Sequence, residues 1–132
     1  MGQERYESLA PFYYKDADII LCVYDVTDPD SWERVKRSIS EAKNLVVKDD
    51  VFFAVVGNKF DLPAKVDKKN VLSYIKEQQL FMMYTSAATG ENINELFTNI
   101  VELIDWHQSR AKNNINTEVV NKEYGKQKLL RM

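Results

Sequence analysis

The amino-acid sequence predicts an α/β domain built on a parallel β-sheet. Three apolar runs, rich in β-branched and aromatic residues, alternate along the chain with three segments in which apolar residues recur every three or four positions. Alternation at this spacing is typical of βαβ units, in which right-handed crossovers connect parallel strands. We therefore expect one sheet with helices packed against it.

The first strand is predicted at Ile19 to Val26, an almost continuous apolar run. A run of this kind is typical of a strand that is buried on both faces. A turn follows, and Asp30 with Glu33 forms a capping pair for the next helix. The inward face of that helix is predicted to carry Trp32, Val35, Ile39, Ala42, Leu45 and Val46.

The second strand is predicted at Val51 to Val56 and is closed by Gly57. A polar loop leads from it into a helix near Lys69 to Gln79, whose inward residues are Val71, Leu72 and Ile75. The third strand is shorter, from Leu80 to Thr85. The last helix is predicted to carry an apolar stripe formed by Ile93, Leu96, Phe97, Ile100, Val101 and Ile104.

The composition narrows the class of protein. Hydrophobic residues make up 45% of the 132 residues and charged residues 29%, which is ordinary for a globular protein. The net charge of −2 gives no basic footprint, so we expect no nucleic-acid partner. The single cysteine, Cys22, excludes an internal disulfide, and its apolar neighbours predict a buried core thiol. Without a long apolar segment or a signal peptide, we expect a cytoplasmic protein.

The two ends of the chain differ from its middle. Residues 1–18 are interpreted as a loop and an irregular helix, and residues 111–132 as a flexible polar tail. The structured domain is therefore predicted to span residues 1–110. The tail has no cysteine to carry a prenyl group, and its basic bias is too weak to hold a membrane alone, so we expect no direct membrane anchor.

Polar motifs follow the second and third predicted strands, where open parallel sheets bind their ligands. The first motif is Gly57-Asn58-Lys59-Phe60-Asp61-Leu62, and the second is Thr85-Ser86-Ala87-Ala88-Thr89-Gly90. Near the N-terminus the sequence reads Gly2-Gln3-Glu4-Arg5-Tyr6, then Ser8-Leu9-Ala10-Pro11 and Tyr13-Tyr14. In this order and spacing, the segments resemble the switch-two, guanine-specificity and Ser-Ala motifs of the Ras superfamily. The Rab family fits best, and the Ser-Leu-Ala-Pro stretch is similar to its early-endosomal group.

This resemblance implies a partial P-loop NTPase (small G-protein) fold and a guanine site. Guanine presents N1–H and N2–H₂ as adjacent donors, which the carboxylate of Asp61 can accept together; adenine offers no such pair. In the family, Asn58 braces the neighbouring loop and meets the base edge, while the stem of Lys59 packs along base and sugar. The family pattern also implies that the Ala87 N–H points at guanine O6 and that the Ser86 hydroxyl holds the loop.

Two features of these loops leave room for other interpretations. Ala88 completes the nucleotide-binding set but stands where Rabs usually carry lysine, so an aliphatic stem against the base is missing. Taken singly, Asn-Lys-x-Asp could be a surface turn and Ser-Ala-Ala-Thr-Gly a helix cap. Their joint occurrence on successive strand ends favours the guanine site.

The N-terminal segment corresponds to the phosphate side of the family's site. Gly2 would contact the γ-phosphate, and Gln3 would be the catalytic residue that orients the attacking water. Tyr6, Tyr13 and Tyr14 resemble switch-two positions that meet effectors and exchange factors. Without the residues that precede them in the family, Gly2 and Gln3 are better described in this chain as a frayed N-terminus with no fixed partner.

The 132 residues contain no phosphate-binding loop of the form G-x-x-x-x-G-K-S/T and no switch-one threonine. In the family that loop lies several dozen residues before Gly2 and holds the phosphates and Mg²⁺. We therefore expect an N-terminally truncated form, and a truncated gene model, an alternative start and a cloned fragment all stay open. Losing about five charge-assisted contacts weakens binding by roughly five orders of magnitude or more. We thus expect the complete family domain to bind GTP or GDP with magnesium. We expect this chain to bind neither the nucleotide nor magnesium securely, and we assign no metal ligand within it.

Three functions are compatible with these features. The first is a Rab-type GTPase that hydrolyses GTP, controls vesicle traffic and meets effectors, exchange factors and GTPase-activating proteins, although we expect this chain to be inactive alone. The second is a non-catalytic module that binds effectors or regulators through its switch-two tyrosines. The third is an α/β remnant without a partner. A full-length relative of the first kind would sit on endosomal or other vesicle membranes.

Overall fold

A computed structural model describes residues 17–45 and 51–112 of the chain. Three parallel strands form one sheet in the order β1-β2-β3. The strands are β1 (Ile19–Asp25), β2 (Phe52–Asn58) and β3 (Phe81–Tyr84), and they alternate with the helices α1 (Pro29–Leu45), α2 (Lys68–Gln78) and α3 (Ile93–Lys112). The predicted α/β fold with a parallel sheet is confirmed.

One face of the sheet is covered by α1 and α2. Each strand contributes to the buried cluster on this face, and the register aligns Cys22 with Val55 and Val55 with Met82. Trp32 lies at its centre, with its ring centroid 5.0 Å from that of Tyr24 and 5.3 Å from that of Tyr74. The helices add Val35, Ile39, Ala42, Val71 and Ile75 to the same cluster. Burying a large apolar side chain contributes about 1.5–3 kcal/mol, so this face supplies much of the folding energy.

The opposite face of the sheet packs against α3. Leu96 contacts a cluster that includes Val56 and Met83, and Leu103 packs on Phe52. Leu103 is 1% exposed, yet it was not part of the predicted stripe. Two predicted members of that stripe, Phe97 and Val101, are 55% and 58% exposed, so this part of the prediction was wrong. The reason is geometric: the apolar stripe is wider than the strip of helix that touches the sheet.

The prediction that β1 is buried on both faces was also wrong. Its residues alternate, with Ile20, Cys22 and Tyr24 buried under the helices. Leu21 and Val23 point to the other face and are 38% and 53% exposed. In the described part of the chain, α3 packs mainly over β2 and β3 and leaves this portion of β1 uncovered.

The helix ends show how the sequence starts and stops each element. Asp28, rather than the predicted Asp30, caps α1: its Oδ1 accepts the Asp30 N–H at 3.0 Å, and Pro29 takes the first helical position. Glu33 pairs with Lys36 at 2.9 Å instead of capping. Asp67 caps α2, and Gln79 ends it in the left-handed conformation.

Two further inward predictions were wrong at the helix surfaces. Leu45 is 42% exposed at the last position of α1, and Leu72 is 36% exposed on α2. The remaining inward residues of both helices within the described ranges, Trp32, Val35, Ile39, Ala42, Val71 and Ile75, are buried as predicted. Among the described helices, none combines the length and the apolar character that a membrane span requires.

Candidate functional site

The carboxyl ends of the three strands meet at one edge of the sheet. Asp25 and Asn58 are register partners at the ends of β1 and β2. Tyr84 at the end of β3 pairs with Gly57, so the loop that begins at Thr85 lies beside Asn58. Both sequence motifs therefore reach the same place, where parallel sheets bind ligands.

Asn58 joins the loop after β2 to the loop after β3. Its side-chain oxygen accepts two hydrogen bonds, from the Thr85 hydroxyl and from the Ala87 N–H, each at 3.1 Å. Since both partners are donors to Oδ1, the Nδ2 group of Asn58 is the part that can donate to a base. Asn58 thus links the two loops in this structure, while its contact with a base stays a prediction. The Ala87 N–H, which the family resemblance directs at guanine O6, is directed at Asn58 here.

Asp61 and Ser86 form the second link between the two loops. The Ser86 hydroxyl donates to Oδ1 of Asp61 at 2.7 Å and accepts the Thr89 N–H at 3.2 Å. Ser86 is fully buried, whereas Asp61 is exposed. Ser86 therefore fixes one oxygen of an exposed carboxylate, and a carboxylate has two oxygens with which to accept two adjacent donors.

Backbone hydrogen bonds hold the same two loops together. The Phe60 N–H donates to the Thr85 carbonyl at 3.0 Å, and the Thr85 N–H donates to the Gly57 carbonyl at 2.9 Å. The two loops that carry the polar side chains are thus also held together by their backbones. Ala88 is exposed in the turn that follows.

Lys59 connects the site to β1. Its backbone is left-handed, with a φ of 63°, and its ammonium lies 2.9 Å from Oδ2 of Asp25. The other oxygen of Asp25 accepts the Thr27 N–H at 2.8 Å and the Thr27 hydroxyl at 2.6 Å. The Thr27 hydroxyl first, and then the Lys59 ammonium, lower the pKa of Asp25 to about 2. The same carboxylate raises the pKa of Lys59.

Aromatic rings form the floor beneath the loops. Tyr24, Gly57 and Tyr84 are neighbours across the three strands, and Phe60 stacks on Tyr84 with ring centroids 5.0 Å apart. The ammonium of Lys68 lies 5.0 Å from the Phe60 centroid. Burial raises the pKa of both tyrosines. A methyl group on Gly57 would meet both rings, so glycine is needed here for space.

Other predicted site residues do not join this geometry. Gly2, Gln3, Tyr6, Tyr13 and Tyr14 lie outside the described residues, so their roles stay predictions. Within residues 17–45 and 51–112 there is no group of three or more acidic, histidine or cysteine side chains that could hold a metal ion.

The sequence analysis gave no role to three residues of the site. Thr85 donates to Asn58, Asp25 pairs with the Lys59 ammonium, and Thr27 donates to Asp25. Asp25 ends β1, and Thr27 lies two residues beyond it. Their position directly after a strand end, beside another strand that carries a binding motif, was the signal that could have found them.

The fold and the two linked loops define the class: an α/β domain of the small-GTPase type. The Ras family model matches residues 1–105. Among curated relatives, the chain is 42% identical over 104 residues to the GTP-binding protein ypt5 of Schizosaccharomyces pombe, covering 76% of this chain and 49% of that protein. It is 41% identical over 103 residues to the Ras-related protein Rab-5A of Dictyostelium discoideum, covering 76% and 51%.

A third relative extends the similarity. The GTP-binding protein YPT52 of Saccharomyces cerevisiae is 35% identical over 123 residues, covering 76% of this chain and 53% of that protein. The chain spans about half the length of the curated relatives it matches. This chain belongs to the Ras family, within its Rab branch.

Proposed function

We propose that this chain carries the guanine-binding part of a Rab-type GTPase, a protein that binds GTP and GDP and hydrolyses GTP. The observation that supports this most directly is the double link between the loops. Asn58 and Asp61 are each held by a residue of the Thr85–Ala87 segment, which leaves a carboxylate and an amide side by side. A surface turn or a helix cap alone would not require side-chain hydrogen bonds between the loops that follow β2 and β3.

The Asp61 carboxylate discriminates between bases in this proposal. It accepts the N1–H and N2–H₂ donors of guanine, and it finds no such donor pair on adenine. Ser86 holds the carboxylate in place before the base arrives, so little side-chain entropy is lost on binding. Asp61 is therefore the specificity residue of the site.

Asn58 and Ala87 serve the opposite edge of the base. The Nδ2 group of Asn58 donates to the acceptors N7 or O6, because Oδ1 is used by Thr85 and Ala87. Contact between O6 and the Ala87 N–H requires that hydrogen bond to shift from Asn58 or to be shared. The Lys59 stem, which is partly exposed, lies beside the base.

These base contacts are weak by themselves. Two charge-assisted and one or two neutral hydrogen bonds contribute about 4–6 kcal/mol together, which corresponds to a Kd of roughly 0.04–1 mM. Tight binding and hydrolysis also need groups around the phosphates and Mg²⁺, and the 132 residues contain no G-x-x-x-x-G-K-S/T loop to supply them. We propose that Gly2 and Gln3 belong to that side of the site, and that the 132-residue polypeptide by itself does not hydrolyse GTP.

The cellular role follows the relatives. We propose a switch in vesicle traffic at endosomal membranes, since two of the relatives are named as GTP-binding proteins and a third as a Rab-5 protein. Its partners are then effectors, exchange factors and GTPase-activating proteins, and Tyr6, Tyr13 and Tyr14 are the proposed contact residues. Pull-down of candidate effectors with Tyr13→Ala as the control tests this assignment, and equal capture by both chains contradicts it.

The guanine site is tested by titrating the nitrogen-15-labelled chain with GDP and with ADP up to about 10 mM, well above the expected Kd. GDP should shift the amide signals of Lys59 and Ala87, and ADP, which carries the same diphosphate, should not. Asp61→Asn should weaken GDP binding and favour the xanthine nucleotide, whose 2-carbonyl accepts the new amide donor. Asp30→Asn, an exposed change away from the site, is the matched control. Equal shifts with GDP and ADP contradict the proposal.

A further inference from the structure

The side chain of Lys59 crosses from the end of β2 to the end of β1. Its ammonium lies 2.9 Å from Oδ2 of Asp25, although half of the lysine side chain is exposed. A free surface lysine samples many rotamers, so one that spans two strand ends depends on the group at its tip. That group is a carboxylate with only 26% of its side chain exposed.

Asp25 is itself held rigidly. Oδ1 accepts two hydrogen bonds from Thr27, at 2.8 and 2.6 Å, so the Oδ2 that meets the lysine has a fixed direction. The Asp25 backbone N–H donates to the Ser31 hydroxyl at 2.9 Å, which ties the strand end to the start of α1. Asp25 is thus anchored independently of Lys59, and it can position the lysine.

The local backbone adds a reason for this contact. Lys59 occupies the left-handed region with a φ of 63°, a conformation that is strained for a residue with a Cβ. The turn closes with the Leu62 N–H donating to the Lys59 carbonyl at 2.9 Å, and the same turn carries Asp61. The ion pair therefore fixes the lysine stem at one end of the loop while Ser86 fixes Asp61 at the other.

We propose that Asp25 is a positioning residue for guanine recognition, which holds the Lys59 stem as a preformed aliphatic strip on which one face of the base lies. This inference rests on the proposed function and deepens it. It assigns a role in the site to β1, a strand that carries neither binding motif. Asp25 does not touch the nucleotide in this proposal; it acts through Lys59.

Two measurements on the full 132-residue chain test the inference. The first needs no nucleotide: carbon-13 relaxation of the Lys59 ε-methylene, compared with Lys65, which has no ion pair among the described residues. Lys59 should be the more ordered of the two, and Asp25→Asn should make its mobility equal to that of Lys65. Equal mobility in the unchanged chain overturns the inference.

The second measurement is a double-mutant cycle on GDP affinity, read from the amide shifts. Asp25→Asn should weaken GDP binding about three- to tenfold, the range expected for releasing one lysine side chain. In the Lys59→Met background, which keeps an aliphatic stem without the ammonium, the same change should have no further effect. Asp30→Asn, a matched loss of one negative charge at an exposed position, should leave the affinity unchanged.

The outcomes separate the two claims. If GDP binds selectively but Asp25→Asn weakens it equally with and without the Lys59 ammonium, Asp25 acts through the fold and the inference fails alone. If Lys59 is ordered by Asp25 but the unchanged chain does not distinguish GDP from ADP, the proposed function fails, and the role of this ion pair in base binding fails with it.

Discussion

Replacing Gly57 with alanine tests whether the aromatic floor of the site is as tightly packed as the structure indicates. The new Cβ would lie 2.7 Å from Cδ1 and 2.8 Å from Cε1 of Tyr84, and 2.8 Å from the Tyr24 hydroxyl. Contacts below 3.0 Å force a neighbour to move. Both neighbours are ring systems, so neither can yield by rotating a flexible chain end.

The surroundings of the two tyrosines set the size of the effect. Tyr84 is stacked on Phe60, and Tyr24 packs on Trp32 with a centroid distance of 5.0 Å in each case. Moving either ring disturbs a second contact, so we expect the full cost of overpacking, about 1–3 kcal/mol. For a chain of this length that corresponds to a decrease in Tm of about 3–15 °C.

Urea unfolding followed by tryptophan fluorescence measures this cost, because Trp32 contacts Tyr24 directly. Gly90→Ala is the control: its φ of 84° makes alanine strained, but nothing lies within 4 Å of the added carbon. Tyr84→Leu should relieve Gly57→Ala and leave Gly90→Ala unaffected. A cost of Gly57→Ala below about 0.5 kcal/mol, or one that Tyr84→Leu does not reduce, would refute the packing argument.

Three further predictions concern single groups. Ser86→Ala should destabilise the fold by about 1–3 kcal/mol in urea unfolding, because it removes the hydrogen bonds to Asp61 and from Thr89; an unchanged midpoint contradicts this. Cys22, which is buried with its pKa raised to about 11, should react with a thiol reagent only as fast as the chain opens, so rapid labelling without urea contradicts its burial. The Asp25 carboxyl should titrate near pH 2 by carbon-13 NMR. Because folding lowers its pKa from 3.8, ionised Asp25 contributes fully to the stability of the fold above pH 3.8, and that contribution is lost as the pH falls through about 2. The stability of Asp25→Asn should therefore depend less on pH in that window, and an equal dependence contradicts the assignment.

The sequence predicted the order and type of every described element, because the spacing of apolar residues distinguishes a helix from a strand whatever packs against it. It failed where the outcome depends on how much of a face a neighbour covers. Leu21 and Val23 belong to a continuous apolar run, and nothing in the run indicates which side lacks a covering helix. Phe97 and Leu103 are equally apolar, but only the helix orientation leaves one exposed and buries the other.

The candidate site divides in the same way. The motifs brought Asn58, Asp61 and Ser86 to one sheet edge, because the ends of successive parallel strands are neighbours by topology. The roles of Thr85 and Asp25 could not be read from the sequence, since they depend on side-chain contacts between segments that are 27 and 34 residues apart from their partners. Likewise, the hydrogen bond from the Ala87 N–H to the Asn58 side-chain oxygen could be identified only from the structure.

The three links around the proposed base site differ in chemistry, and this difference separates selectivity from affinity. Asp61 is exposed, but the hydroxyl that holds it belongs to a fully buried serine, so the donor itself has little freedom to move. Lys59 is held by an ion pair in which half of the lysine side chain is exposed, and salt weakens contacts of that kind. In the proposed site, the choice between guanine and adenine is assigned to Asp61 and therefore depends on the link that salt weakens less. The stacking surface proposed for the Lys59 stem depends on the ion pair with Asp25. Added salt weakens this ion pair, so it should lower the affinity for every base before it alters the choice among bases.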